Sequence, residues 1–434
     1  MGKTGEYLPR HLMPELEDAL RSARVVNLIG PRQAGKTTLV RDLFRYGRFV
    51  TLDDTAVLAA IDADPEGQIV SLMEDVESAP LIIDEAQRSK KLALTIKRLV
   101  DVSRRKGQFV LTGSSNVFTT ADVADSLAGR MRTLKLWPLS VAEIKKAPAS
   151  RLIDWAMQKT PSLDQIADPE PVNRRHYIEL ILTGGLPETR TLPIRSRQRQ
   201  YRDYIDAVVD RDVADIVPVR KPDSLRILID QMAARTAQEI NVSGLAKLTK
   251  LRRVTVDQYL DILIRLSLIT KLGAWTSGEG KREIRQPKYH FVDTGIACAL
   301  RHFTDATFSI DGTPAALGGL LETFVVSQLQ RSLPMQDADC RLYHWRSADR
   351  REIDIVADGG NRLSLFEVKS SASVALSDFR HLDWFAKDGP GRGRSCTGVI
   401  FYMGREKLTF GENSFALPVS SLWSAVEPGG SGVS

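Results

Sequence analysis

Gly30-Pro31-Arg32-Gln33-Ala34-Gly35-Lys36-Thr37 decides the fold, because it fits G-x-x-x-x-G-K-[ST] without a mismatch. The run Arg24-Val25-Val26-Asn27-Leu28-Ile29-Gly30 leads into it and reads as a buried strand, and a helix is expected from Lys36 to about Phe44. A loop between strand and helix is where this motif works. Its glycines let the backbone turn so that successive N–H groups face phosphate oxygens, and the helix N-terminus adds partial positive charge. Gly30, Pro31, Arg32, Gln33, Ala34, Gly35, Lys36, Thr37 and Thr38 are therefore the candidate ATP-binding residues. Lys36 is placed to reach the β- and γ-phosphates, and Thr37 to hold Mg²⁺.

Working outward, short apolar runs recur at Arg48–Leu52, Pro80–Glu85, Gln108–Gly113 and Thr133–Leu136. Helical periodicity fills the gaps, as in Leu92 to Ser103. Strands of this kind alternating with helices imply a parallel sheet covered on both faces, an α/β architecture. Asp84 and Glu85 end one run, so they lie in the crevice at the C-terminal ends of the strands, where ligands bind. Asp84 is expected in the Mg²⁺ shell and Glu85 is placed to polarise the attacking water. Ser115 and Asn116 follow the Gln108–Gly113 run and could orient that water or sense the γ-phosphate; both are also good helix N-caps. Gln87 and Arg88 receive no role.

Length and composition bound the rest. The chain has 434 residues, enough for two to four domains, and its 43% hydrophobic and 26% charged content excludes wholesale disorder and collagen. Cys298, Cys340 and Cys396 are odd in number and far apart, which argues against a disulfide framework or a zinc site and for a reducing, cytoplasmic setting. No stretch approaches the apolar length needed to span a bilayer, so no membrane partner is expected.

The positive charge is concentrated. Residues 247–288 carry ten Lys or Arg against four Asp or Glu, a surplus of six that equals the surplus of the whole chain. Such a concentration is the footprint of a polyanion partner. Val242–Leu248 reads as a short helix, Lys250–Arg252 as a turn, Val254–Leu268 as a second helix, and Ile269–Phe291 as two strands around Ser277-Gly278-Glu279-Gly280. Together these look like a winged helix-turn-helix, in which the second helix enters the major groove and the wing touches the backbone. Arg252, Arg253, Lys281 and Arg282 are the candidate DNA contacts; winged helices also serve as protein–protein modules.

Arg351–Val356 and Leu363–Lys369 alternate polar and apolar residues around the turn Asp358-Gly359-Gly360-Asn361, a β-hairpin pattern. It puts Asp354 on one strand and Glu367 and Lys369 on one face of the other, after a helical stretch carrying Glu322. That set resembles the restriction-endonuclease-like core. The resemblance implies Mg²⁺ on Glu322, Asp354 and Glu367, with Lys369 activating a water. Binding without cleavage and a purely structural ion-paired face remain open beside it. Trp345 and Arg346 are near enough in sequence to touch nucleic acid, whereas His344 and His381 lack metal-ligand spacing.

The P-loop, Leu81-Ile82-Ile83-Asp84-Glu85-Ala86, Leu111-Thr112-Gly113-Ser114-Ser115 and Ser126-Leu127-Ala128-Gly129-Arg130 resemble the AAA-type ATPases of the additional-strand class. Trp137-Pro138-Leu139-Ser140, Gly184-Gly185-Leu186-Pro187 and Arg211-Asp212 narrow the resemblance to a prokaryotic family with an AAA core followed by a domain of unknown function. The resemblance implies a homo-oligomer, a ring being one form of it, in which Arg130 of one subunit reaches a neighbour's γ-phosphate; Arg132 and Arg211 are rivals for that role. The expected organisation is an ATPase core at 1–160, a helical lid at 161–225, a winged helix-turn-helix at 226–300, a restriction-endonuclease-like domain at 301–427 and a frayed tail at 428–434. The function expected is ATP hydrolysis that remodels or translocates DNA, branched or forked DNA included. An ATP-gated DNA-binding switch of a regulatory or defence kind, and a Mg²⁺-dependent nuclease under ATPase control, are the alternatives.

Overall fold

Val25, Val26 and Leu28 are fully buried, and a strand lined by apolar residues on both sides forms where the run before the P-loop predicts it, β1 (Val25–Ile29). The computed structural model describes residues 8–43, 47–74, 79–114, 129–213, 216, 222–278, 286–309 and 314–427. They divide into two units, Pro9–Leu139 and Ser140–Ile264 with Leu268–Ser434.

In the first unit β1 is joined by β2 (Arg48–Thr51), β3 (Leu81–Asp84), β4 (Phe109–Gly113) and β5 (Met131–Lys135). The order is β2-β3-β4-β1-β5 and every pair is parallel, with Val25 opposite both Phe109 and Met131. Side-chain alternation sends Leu81, Ile83, Phe109 and Leu111 to one face, where Ile96 and Val100 of the helix Leu92–Val102 cover them. Ile82 and Val110 point the other way, onto Leu16, Ala19 and Leu39 of the helices Met13–Ser22 and Lys36–Leu43. Both faces are thus covered, as the continuous apolar runs require.

The second unit holds a nine-stranded sheet: β6 (Gln238–Glu239), β7 (Ile269–Ala274), β8 (Lys288–Phe291), β9 (Arg341–Arg346), β10 (Glu352–Asp358), β11 (Arg362–Lys369), β12 (Ser395–Tyr402), β13 (Leu408–Gly411) and β14 (Ser414–Pro418). Its order is β13-β14-β12-β11-β10-β9-β7-β8-β6. Strands from both sides of the boundary expected at residue 300 share this sheet, because β7 runs parallel to β9, with Gly273 opposite Tyr343 and Ala274 opposite His344. The first boundary also moves, from 160 to Leu139. Residues after Ser140 pack with the C-terminal part: the Val141 N–H donates to Gln328 Oε1 at 2.9 Å, and Trp155 meets Phe415 edge-on at 5.1 Å.

The expected helical stretch contains Arg174–Thr183 and Ile194–Ala207, followed by a π-helical turn at Val208–Val213 that carries Arg211 and Asp212. The glycine loop between the two helices is tied down by a buried carboxylate. Asp293 Oδ2 accepts from the Gly185 N–H at 2.6 Å, and its Oδ1 accepts from the Gly295 N–H at 2.9 Å. Gly184 has φ of +70°, and a Cβ there would run into that Asp293 carboxylate and the Tyr201 hydroxyl, so only glycine fits. Residues 428–434 lie outside the described residues. Among the described residues no helix is long and apolar enough to cross a membrane.

Candidate functional site

The P-loop leaves β1 at its C-terminal end and closes onto the helix Lys36–Leu43. Gly30 has φ of +154° and its Cα lies so close to the Leu136 carbonyl that a Cβ would overlap it; Gly35 has φ of +92°. These two positions need glycine for different reasons, close approach and left-handed backbone. Lys36 Nζ donates to the Gly30 and Pro31 carbonyls, both at 3.0 Å. A lysine held inside the loop's own turn is poised where phosphate oxygens would compete for it.

Thr37 and Asp84, the two side chains expected at a metal, lie within hydrogen-bond distance of each other. Asp84 is 5% exposed at the end of β3. Its Oδ2 accepts from Thr37 Oγ1 at 3.0 Å, and its Oδ1 accepts from Thr112 Oγ1 on β4. This donor set fits Mg²⁺: Thr37 and Asp84 would hold the ion, which supplies charge compensation for the phosphates. Glu85 follows in the left-handed region at φ of +55°, and its Oε2 accepts from Gln87 Nε2. Gln87 also reaches Ser114 Oγ at 3.4 Å, so it spans the ends of β3 and β4.

Several contributors were given no role in the sequence. Thr112 is buried and orients Asp84. Arg10 donates from Nη1 to the Ala34 carbonyl of the loop at 2.7 Å and from Nη2 to the Trp137 carbonyl at 2.6 Å. Arg88 ties the end of β2, donating to the Leu52 carbonyl at 3.1 Å and pairing with Asp53 at 2.6 Å. Lys135 sits 3.9 Å above the Trp137 ring, and burial lowers its pKa to about 8. Ser115 and Asn116 lie outside the described residues, as do 126–128 of the motif ending at Arg130.

Arg130 precedes β5 and pairs with Asp101 at 2.9 Å. Because β5 is parallel to β1 and Met131 lies opposite Val25, Arg130 is at the N-terminal edge of the sheet, a full strand length (roughly 15 Å) from the P-loop edge. Its own nucleotide site is out of reach. Arg132 pairs with Glu15 at 2.9 Å and with Asp18, and Arg211 is exposed on the π-helical turn.

In the second unit the helices Val242–Thr249 and Arg253–Arg265 form as expected, with Asn241 capping the first through the Gly244 N–H at 3.0 Å. Lys250 ends that helix in the left-handed region. Lys247, Lys250, Arg252 and Arg253 are exposed together around the turn, beside exposed Leu248 and Val254. β8 pairs antiparallel with both β7 and β6. Lys281 and Arg282 lie outside the described residues.

Lys288, which the charge count assigned to the basic surface, is 2% exposed and belongs elsewhere. Its Nζ lies 2.8 Å from Glu322 Oε1, 2.7 Å from Glu352 Oε1 and 3.3 Å from Asp354 Oδ1. Asp354 Oδ2 accepts from the Val368 N–H at 2.9 Å, and Glu367 pairs with Lys369 at 3.4 Å. The expected residues do come together, with the Lys288 ammonium among them. Among the described residues no group of three or more His, Cys, Asp or Glu is arranged to hold a metal ion. Burial would lower the Lys288 pKa, but Glu322, Asp354 and Glu352 together raise it, so the ammonium stays charged. Burial and the neighbouring Asp354 push Glu322 well above the carboxylate range and Glu367 to about 8. Against its own burial, Lys288 holds Glu352 down. Burial lowers His344 to about 4, and its Nε2 lies 3.0 Å from the Gln286 carbonyl, a packing role.

Residues 22–145 match the family described as an AAA domain, residues 174–307 the domain of unknown function DUF8612, and residues 317–422 the domain of unknown function DUF4143. Uncharacterized proteins of Mycobacterium bovis and of Mycobacterium tuberculosis are each 30% identical over 371 residues, covering 85% of this chain and 75% of theirs. An uncharacterized protein of Methanocaldococcus jannaschii is 23% identical over 262 residues, covering 57% of this chain and 56% of its own. Among solved structures, a Walker-type ATPase of Pyrococcus abyssi is similar with a TM-score of 0.41 at 14% identity, over 66% of this chain and 94% of that one.

Proposed function

The chain belongs to the same family as those uncharacterized mycobacterial proteins, and from that premise we propose that it is an ATPase whose turnover is coupled to DNA held by its second unit. The observation that carries the first half is the meeting of Lys36, Thr37, Asp84 and Glu85 at one edge of a parallel sheet. Lys36 gives up the Gly30 and Pro31 carbonyls to bind the β- and γ-phosphates. Thr37 and Asp84, the latter oriented by Thr112, would hold Mg²⁺, which would supply charge compensation for the phosphates. Glu85 accepts a proton from the attacking water as general base. Arg130 serves a neighbouring subunit's nucleotide in a homo-oligomer, because it stands at the edge opposite its own.

The second half rests on the segment from Pro222 to Phe291. Its order of helix, short strand, two helices and antiparallel strands supports the reading of a winged helix-turn-helix. Lys247, Lys250, Arg252 and Arg253 supply phosphate contacts around the start of the second helix, and Lys281 and Arg282, outside the described residues, are further candidates for such contacts. Remodelling or translocation on branched or forked DNA is the activity that this pairing serves. An ATP-gated switch is the second reading, and the Gln87 contact favours it, since a restrained Glu85 turns over slowly.

The test is Lys36→Ala. It is expected to abolish hydrolysis and leave DNA binding intact, while strand-displacement and branch-migration assays separate motor from switch. Unchanged hydrolysis in K36A would remove the P-loop assignment.

A further inference from the structure

Lys288 comes from β8, Glu322 from the helix Pro314–Ser332, and Glu352 and Asp354 from one side of β10. An ammonium has three N–H donors, and three separate carboxylates lie within 3.3 Å of this one. We infer that Lys288 is the resident cation of this cluster, standing where a divalent ion would stand, so that the C-terminal core works without metal and does not cut nucleic acid.

Space supports this. A divalent ion bridging Glu322 and Asp354 would sit about 2.0–2.6 Å from their oxygens. Lys288 Nζ already lies 2.8 and 3.3 Å from those same atoms. The two cations would be in contact, inside a pocket where Lys288 is 2% exposed and water cannot screen them. The fourth acid, Glu367, pairs through Oε1 with Lys369 at 3.4 Å, and its buried Oε2 has no hydrogen-bond partner. Lys288 and metal are therefore alternatives, and the chain carries its own. The placement has a second consequence. β8 sits between β7 and β6, so the ammonium fastens the sheet edge nearest the helix pair to the carboxylates of the C-terminal core. This holds whether or not the chain acts on DNA.

The experiment uses the full chain without nucleotide and Mn²⁺ as the probe. Mn²⁺ binding is followed by electron paramagnetic resonance and by the shift in melting temperature, for wild type, Lys288→Met and the double variant K288M/D354N. Wild type is expected to show no Mn²⁺-dependent stabilisation. K288M is expected to bind Mn²⁺ at least roughly tenfold more tightly, the equivalent of about 1.4 kcal/mol, and to be stabilised by it. K288M/D354N is expected to return to the wild-type response. Wild type that binds Mn²⁺ and loses it on D354N overturns the inference, as does K288M with no greater Mn²⁺ response than wild type. Should K288M fail to fold, K288M/E322Q/E352Q, which removes the uncompensated acids, is expected to fold; its failure would likewise overturn the inference.

Discussion

Thr112→Val probes the candidate ATP site at a residue that touches no phosphate in any reading of the P-loop. Thr112 is fully buried, and its hydroxyl donates to Oδ1 of Asp84 while Thr37 serves Oδ2. Valine keeps the shape of the side chain and removes the donor. An ionised carboxylate is an acceptor only, and a hydrogen bond to a charged group contributes roughly 1.5–3 kcal/mol. Asp84 is 5% exposed, so little water is available to replace the lost donor. T112V is therefore expected to destabilise the protein by roughly 1.5–3 kcal/mol in urea denaturation, with unchanged m. The carboxylate, free to rotate, loses its aim at Mg²⁺. The half-saturating Mg²⁺ for phosphate release at fixed ATP is expected to rise roughly tenfold or more, the same free energy expressed as an equilibrium. Thr112→Ser keeps the donor and is expected to remain near wild type. If T112V matches wild type in both Mg²⁺ dependence and stability, the network that positions Asp84 does not exist as described.

Gln87→Ala releases Glu85 from its amide partner and is expected to raise basal kcat several-fold with little change in KM for ATP; an unchanged rate would show that the contact does not restrain the general base. Gly184→Ala forces a side chain into φ of +70° and against Asp293, and is expected to cost roughly 2 kcal/mol or more, measured by denaturation. Glu367 supplies a pH test. Its pKa is raised to about 8 from an ordinary 4.5, so the folded chain binds the extra proton between those values, and stability present below about pH 4.5 is lost as pH rises to about 8. Glu367→Gln is expected to match wild type at the acid end and to exceed it by a few kcal/mol above about pH 8, with the crossover read from melting temperature against pH.

What was legible in the sequence is what local chemistry dictates. Gly30, Gly35, Lys36 and Thr37 announce themselves because a phosphate loop needs those types at that spacing, and Asp84 because an apolar run stops at it. The partners that aim them were not legible. Thr112 is an ordinary strand residue until β4 is laid beside β3, and Arg10 reaches the loop from 24 residues upstream of Ala34. The hairpin of β10 and β11 showed in its alternation, and with it the cluster of Asp354, Glu367 and Lys369. Lys288 was misread for a definite reason: a charge count has no burial in it, and a lysine beside a basic turn looks like surface until β8 carries it against Glu322 and Asp354. The pairing of β7 with β9, which joins the two sides of the boundary expected at residue 300, was not legible either, because it spans 70 residues, from Gly273 to Tyr343, and leaves no local trace.

The most direct test of the coupling between ATP turnover and DNA is the ATPase rate with and without single-stranded, duplex and branched DNA across a salt series. Stimulation by at least one of these, falling steeply as salt rises in step with loss of binding, is the predicted result. Hydrolysis indifferent to every polynucleotide, with none of them bound at low ionic strength, would contradict it.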